Sequence, residues 1–99
     1  MMAVGAKGVI SVAANVMPAA VVAMVRAALA GRWDEALAAH RKLYPFFRDL
    51  FVETNPIPVK AALAMLGQIA EEYRLPLCPM ADANRAILVK SMAAAGLRV

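Results

Sequence analysis

Few side chains here can do nucleophilic or acid–base chemistry, and their spacing keeps most of them apart. Cys78 is the single cysteine and His40 the single histidine. Set between Leu77 and Pro79 and far in sequence from His40, the thiol has no base to take its proton. One cysteine also excludes an intrachain disulfide and a thiolate metal framework, which fits a reducing, cytoplasmic setting. His40 falls on an apolar helical stripe with no carboxylate four residues to either side, so a partly buried, hydrogen-bonded imidazole is expected rather than a general base. Asp34-Glu35 and Glu71-Glu72 are adjacent pairs, and neighbours in sequence point to different sides of a helix, so neither forms a catalytic dyad. No glycine-rich phosphate loop and no metal-spaced ligand set occurs.

The elements around these residues follow from hydrophobic period and turn chemistry. Val9-Ile10-Ser11-Val12 is a short β-branched run between Gly8 and Asn15, suited to a strand buried on both faces. Such a strand needs neighbours for its amides and carbonyls, and the rest of the chain offers none. Pro18 opens a helix through about Ala30, with Val21, Met24, Val25, Ala28 and Leu29 as its stripe and Gly31 to end it. Asp34-Glu35 start a second helix whose stripe is Trp33, Leu37, His40, Tyr44, Phe47 and Phe51, with Pro45 predicting a kink near Arg41 to Tyr44. A third helix is expected from Pro58 to Leu66, stopping at Gly67. The fourth runs from Asp82 to Gly96 with Leu88, Met92 and Ala95 inward. Between them Gln68 to Tyr73 could form a helical turn, whereas Leu75-Pro76 and Cys78-Pro79 enforce an extended path. The one plausible boundary is at Gly31-Arg32.

Composition limits the partners. Ninety-nine residues allow one small domain, and 63% of them are hydrophobic, well above the usual share. That surplus, with an unpaired strand, predicts apolar faces made for a neighbour and a homo-oligomer. The net charge of +4 comes from basic residues scattered along the chain, which argues against a nucleic-acid surface. Residues 8 to 25 carry no charge, but Asn15 and Pro18 in their middle exclude a membrane span, and the absence of a basic n-region excludes a signal peptide.

Asn55-Pro56-Ile57-Pro58-Val59-Lys60 is the most distinctive stretch. Its two prolines fix φ and restrict the residues before them, so it is expected to run extended until Pro58 enters the first turn of a helix. Together with Gly8-Val9-Ile10-Ser11-Val12, Ala14-Asn15, Leu50-Phe51-Val52-Glu53, Arg74-Leu75-Pro76-Leu77 and Pro79, it resembles the dihydrodipicolinate synthase family. The resemblance implies a mainly α chain of four main helices plus one orphan strand: residues 1–31 as the last unit of a (β/α)8 TIM barrel and 32–99 as the C-terminal helical domain. Such a barrel needs about 250 residues, so most of it lies outside this sequence. Met1-Met2-Ala3-Val4-Gly5 reads as the tail of a helix entering the final strand, which points to a start inside a longer coding region or a truncation.

In that family a lysine forms a Schiff base with pyruvate, and aspartate semialdehyde is then added by aldol chemistry, without a cofactor. The lysine must be held on a barrel strand with its amine desolvated. Lys7 precedes the strand, Lys42 and Lys90 lie mid-helix, and Lys60 stands at a helix start, so this chain alone is expected to be inactive. The family's catalytic tyrosine and the arginine that binds the second substrate's carboxylate belong to earlier strands and loops, and Tyr44 and Tyr73 match neither motif. Ile10 matches the final-strand isoleucine whose main chain lines the pyruvate pocket. Asn55, Pro56, Ile57, Pro58 and Lys60 are taken as a structural motif. Neuraminate lyases share the barrel, but the proline motif with Arg74-Leu75-Pro76-Leu77 favours the synthase. A free-standing helical oligomerisation module and a membrane-associated peptide are the readings from other classes.

Overall fold

A computed structural model describes residues 1–99. It holds four α-helices, α1 (Pro18–Leu29), α2 (Trp33–Asp49), α3 (Ile57–Met65) and α4 (Asp82–Ala94), with short 3-10 turns at Met2–Val4 and Val12–Asn15. Each helix starts and stops for a local reason. Pro18 stands at the first position of α1, where a missing amide hydrogen costs nothing. At its other end Gly31 adopts φ 77°. Its amide donates to the Ala28 carbonyl at 3.0 Å and the Arg32 amide to Ala27 at 2.9 Å, the paired closure that satisfies the orphan carbonyls. Gly67 and Gly96 close α3 and α4 in the same way. Asp34 and Glu35 occupy the first turn of α2 and Arg48 its last, as the helix dipole favours. Pro45 lies inside α2, and the helix continues through it without a break.

The core is built where these helices meet. Phe46 and Leu50 of the α2 end, Leu88 and Met92 of α4, and Ala61 and Ala62 of α3 are all fully buried. Val21 from α1, Val16 and Ala13 join the same cluster. A smaller contact of Ala27, Ala28 and Ala36 lets α1 and α2 approach closely, which explains part of the alanine excess. Residues 66–81 form no helix beyond the turn at Gly67 and cross from α3 to α4 as a strap. Leu77 and Tyr73 of this strap pack on the core, whereas Arg74 and Leu75 are exposed. No helix of the chain is long and apolar enough to cross a membrane.

Several expectations are corrected. The orphan strand does not form. Ser11 has extended dihedrals, φ −113° and ψ 127°, but Val12–Asn15 turns into a 3-10 helix closed by the Asn15 side-chain amide on the Val12 carbonyl at 3.0 Å. Without a neighbouring strand there is no ladder, and Lys7 to Ile10 form neither helix nor turn and have no backbone hydrogen bond on either edge. Gln68 to Tyr73 do not form a helical turn.

The second helix also turns a different face inward. Ala36, Leu43, Phe46 and Asp49 are buried, whereas Trp33, Leu37, Tyr44 and Phe51 of the expected stripe are exposed. Both faces are apolar, and the core takes the one that meets α4. His40 is exposed on the other face and forms no hydrogen bond, its ring resting 5.4 Å from that of Tyr44.

The proline motif does not run extended. Residues 50–56 form successive turns and bends, and the Ile57 amide donates to the Thr54 carbonyl at 2.9 Å. Ile57 is already helical although a proline follows it, because the first turn of a helix is where Pro58 displaces no hydrogen bond.

Candidate functional site

Two regions carry the residues singled out by the sequence. The first is a pair of apolar grooves beside the unpaired segment Lys7 to Ile10. A groove of about 270 Å³ is lined by Val9, Ile10, Ser11, Val12, Ala13, Val21, Met24, Phe47, Leu50 and Phe51. A larger one of about 620 Å³ runs between Met1–Val9, α1 and α2, with Met24, Val25, Trp33, Leu37 and Phe47 on its walls. Val9, Met24 and Phe47 border both. Ile10 is fully exposed at 106% and Val9 at 60%, so the segment presents side chains and unpaired backbone together. Ser11 and His40 are the polar side chains on these walls. The grooves can exclude water and offer main-chain donors and acceptors, but they bring no acid–base pair.

The second region joins the proline motif to α4 through polar side chains. The Glu53 carboxylate accepts from the Ala81 amide at 3.0 Å and from the Asn84 side chain at 2.8 Å, placing a negative charge at the start of α4. Arg85 donates to Glu71 through both terminal nitrogens, at 2.8 and 2.7 Å, and the Tyr73 hydroxyl donates to the same carboxylate at 3.0 Å. Lys60 holds its amine 5.3 Å from the centre of the Tyr73 ring, a cation–π contact. Ile57 and Pro58 are buried, Pro56 and Lys60 half-buried, and Asn55 exposed. Neither groove is lined by a motif residue, so the fold does not bring the motif and Ile10 into one cavity. The one buried carboxylate, Asp49, is held by Arg48 at 2.6 and 3.1 Å. No group of His, Cys, Asp and Glu residues large enough to hold a metal ion comes together. The ties from Glu53 to Asn84 and from Glu71 to Arg85 carried no sequence signal, since partners 31 and 14 residues apart share no helical period.

This network gives stability a pH dependence. Hydrogen bonds from Arg85 hold the Glu71 carboxyl below its ordinary range, with Tyr73 adding to the effect. A carboxylate lowered in the folded state stabilises above its unfolded pKa, and the gain is lost as pH falls through the folded value. Melting temperature should therefore drop below about pH 4.3, and Glu71→Gln should flatten that acid limb. Burial, then the bond to Glu71, pushes the Tyr73 hydroxyl up to about 12. Its contribution is complete below about pH 10 and lost as pH rises through the folded value, a limb that Tyr73→Phe should remove. Melts of both variants across the two limbs check the assignment; curves parallel to the parent's would refute it.

Pro58 gives a second prediction. Its ring is fully buried and its φ already suits the first turn, so Pro58→Ala frees the unfolded chain and strips two buried methylenes. The loss should be about 2–3 kcal/mol in urea titration, from roughly 1 for the backbone and about 0.8 for each of the two methylenes. Unchanged stability would show that the motif is not structural.

A profile of the Dihydrodipicolinate synthetase family matches residues 1–95. The chain belongs to this family. It is 52% identical over 97 residues to the 4-hydroxy-tetrahydrodipicolinate synthase of Geotalea uraniireducens (strain Rf4), covering 98% of this chain and 33% of that protein. Among solved structures, the 4-hydroxy-tetrahydrodipicolinate synthase of the methanotroph Methylacidiphilum fumariolicum SolV superposes with a TM-score of 0.94 at 48% identity, over 96% of this chain and 32% of that one. The chloride-inhibited dihydrodipicolinate synthase of Acinetobacter baumannii, complexed with pyruvate, superposes at 0.92 with 39% identity, over 98% of this chain and 33% of that one. The chain therefore spans about a third of the length of these synthases and corresponds to their C-terminal part. Its backbone takes the course it has in the whole dihydrodipicolinate synthase fold.

Proposed function

We propose that residues 1–31 serve as the last β/α unit, and residues 32–99 as the helical extension, of a cytoplasmic synthase of lysine biosynthesis. That enzyme condenses pyruvate with aspartate semialdehyde through a lysine Schiff base. The observation that supports this most is the match to the C-terminal third of a 4-hydroxy-tetrahydrodipicolinate synthase at 52% identity with 98% of the chain aligned. The exposure of Ile10 on an unpaired segment at an apolar groove is compatible with a main-chain role beside pyruvate. In this reading the chain contributes no proton-transfer group. Its part is to finish the wall of the pocket: Ile10 offers backbone polar groups, and Val9, Met24 and Phe47 keep water from the covalent intermediate. The helical extension holds that wall in place through the core of Phe46, Leu50, Leu88 and Met92.

A chimera tests the reading. Residues 1–99 replace the matching third of the Geotalea uraniireducens enzyme, and turnover of pyruvate with aspartate semialdehyde is measured. Activity comparable to the parent's is expected. A chimera that folds and assembles like the parent but does not turn over these substrates would refute the proposal.

A further inference from the structure

We propose that Asn15 is a positioning residue for pyruvate: its side-chain amide holds the Val12 carbonyl and so fixes the course on which the main chain leaves Ile10. The inference rests on the reading of Ile10 as part of the pyruvate pocket. Residues 1–31 hold one side-chain hydrogen bond, from Asn15 Nδ2 to the Val12 carbonyl at 3.0 Å. The orientation of the amide follows from its chemistry, since the reverse one would set its oxygen against another oxygen with no proton between them. Ser11, which precedes the turn, makes no such bond from its own side chain.

The turn is where the wall beside Ile10 is anchored. Ala13 and Val16 are sunk in the core, the Ala14 amide donates to the Ser11 carbonyl at 3.1 Å, and the Val16 and Met17 amides donate to the Ala13 carbonyl at 3.0 and 2.9 Å. Val9 to Ala13 all line the smaller groove, so a shift of this turn moves the Ile10 main chain with it. Asn15 does not line that groove and acts on the wall from outside. It is exposed, so its truncation opens no cavity and costs little burial. What it supplies is placement, and a main-chain group that is turned or displaced loses much of its bond to a substrate.

Asn15→Ala in the chimera should leave folding and assembly unchanged yet lower kcat/KM for pyruvate about tenfold, the worth of one hydrogen bond, while KM for aspartate semialdehyde stays within about twofold. Asn15→Ser should recover most of the loss, because Ser91 shows that a hydroxyl reaches the carbonyl three residues back, donating to Leu88 at 3.0 Å. Asn84→Ala, which removes the bond to Glu53 in the other region, should lower the melting temperature and leave the pyruvate kinetics as they were. In the free 99-residue chain Asn15→Ala should speed amide exchange at Ala14 about tenfold, with Leu97 beyond the end of α4 unaffected. If pyruvate kinetics or Ala14 exchange stay unchanged, if Asn84→Ala lowers kcat/KM for pyruvate equally, or if serine recovers nothing, the proposal fails while the activity of the unsubstituted chimera still upholds the functional reading. A chimera inactive before any substitution would refute that reading and the proposal with it.

Discussion

Pyruvate and borohydride should leave the mass of the isolated chain unchanged, and no condensation with aspartate semialdehyde should be detectable. The reason lies in where its amines stand. Lys7, Lys42 and Lys90 are exposed, so nothing removes water from them, and Lys60 lies over the Tyr73 ring at the start of α3. Schiff-base formation at neutral pH needs an amine made nucleophilic by desolvation, inside a cavity that shields the imine. Here the grooves are apolar but no lysine side chain lines them. Intact-mass spectrometry after reduction reads the result directly. A stoichiometric pyruvyl adduct on any one lysine would overturn this account of the chain.

The second large effect is on stability. Phe46→Ala should remove roughly 4 kcal/mol, because the ring is fully buried at the junction of α2 with α4 and its loss leaves a cavity that rigid neighbours cannot fill. A chain of this size has on the order of 5–15 kcal/mol in total, so the variant should be largely unfolded near physiological temperature. Thermal denaturation should show the melting temperature falling by roughly 20 °C, at about 4–8 °C per kcal/mol. Phe47→Ala is the control, since Phe47 borders both grooves and is only half-buried. Equal losses for the two would mean that the core is not where the structure puts it.

The helices were legible because their ends carry their own chemistry. Pro18, the acidic pair Asp34-Glu35, and glycines at 31, 67 and 96 act through the local backbone, which is the same whatever surrounds it. Strand and inner face were not legible, because both depend on what stands next to the segment. Val9 to Val12 has strand composition, yet a strand is a relation between two segments and only one is present. In α2 the stripe through Trp33, Leu37 and Phe51 and the stripe through Ala36, Leu43 and Phe46 are both apolar, and periodicity cannot say which will find a neighbour. The grooves beside Ile10 follow from the stripe of Trp33, Leu37 and Phe51 being left outward, so they too came only with the fold. The proline motif was legible in type but not in course, since the pre-proline restriction is a preference that a helical first turn can override.

The strap between α3 and α4 separates covalent from noncovalent connection. Arg74 is exposed on it and offers a protease an accessible bond. Yet the segments on either side are gripped independently of that bond. Tyr73 packs on the core ahead of it, and Met80, Leu88 and Met92 are sunk in the core behind it. Arg85 still reaches Glu71 across the gap. A chain nicked at Arg74 would be two peptides and one folded body, with the strap setting the order of the segments while side chains hold them together.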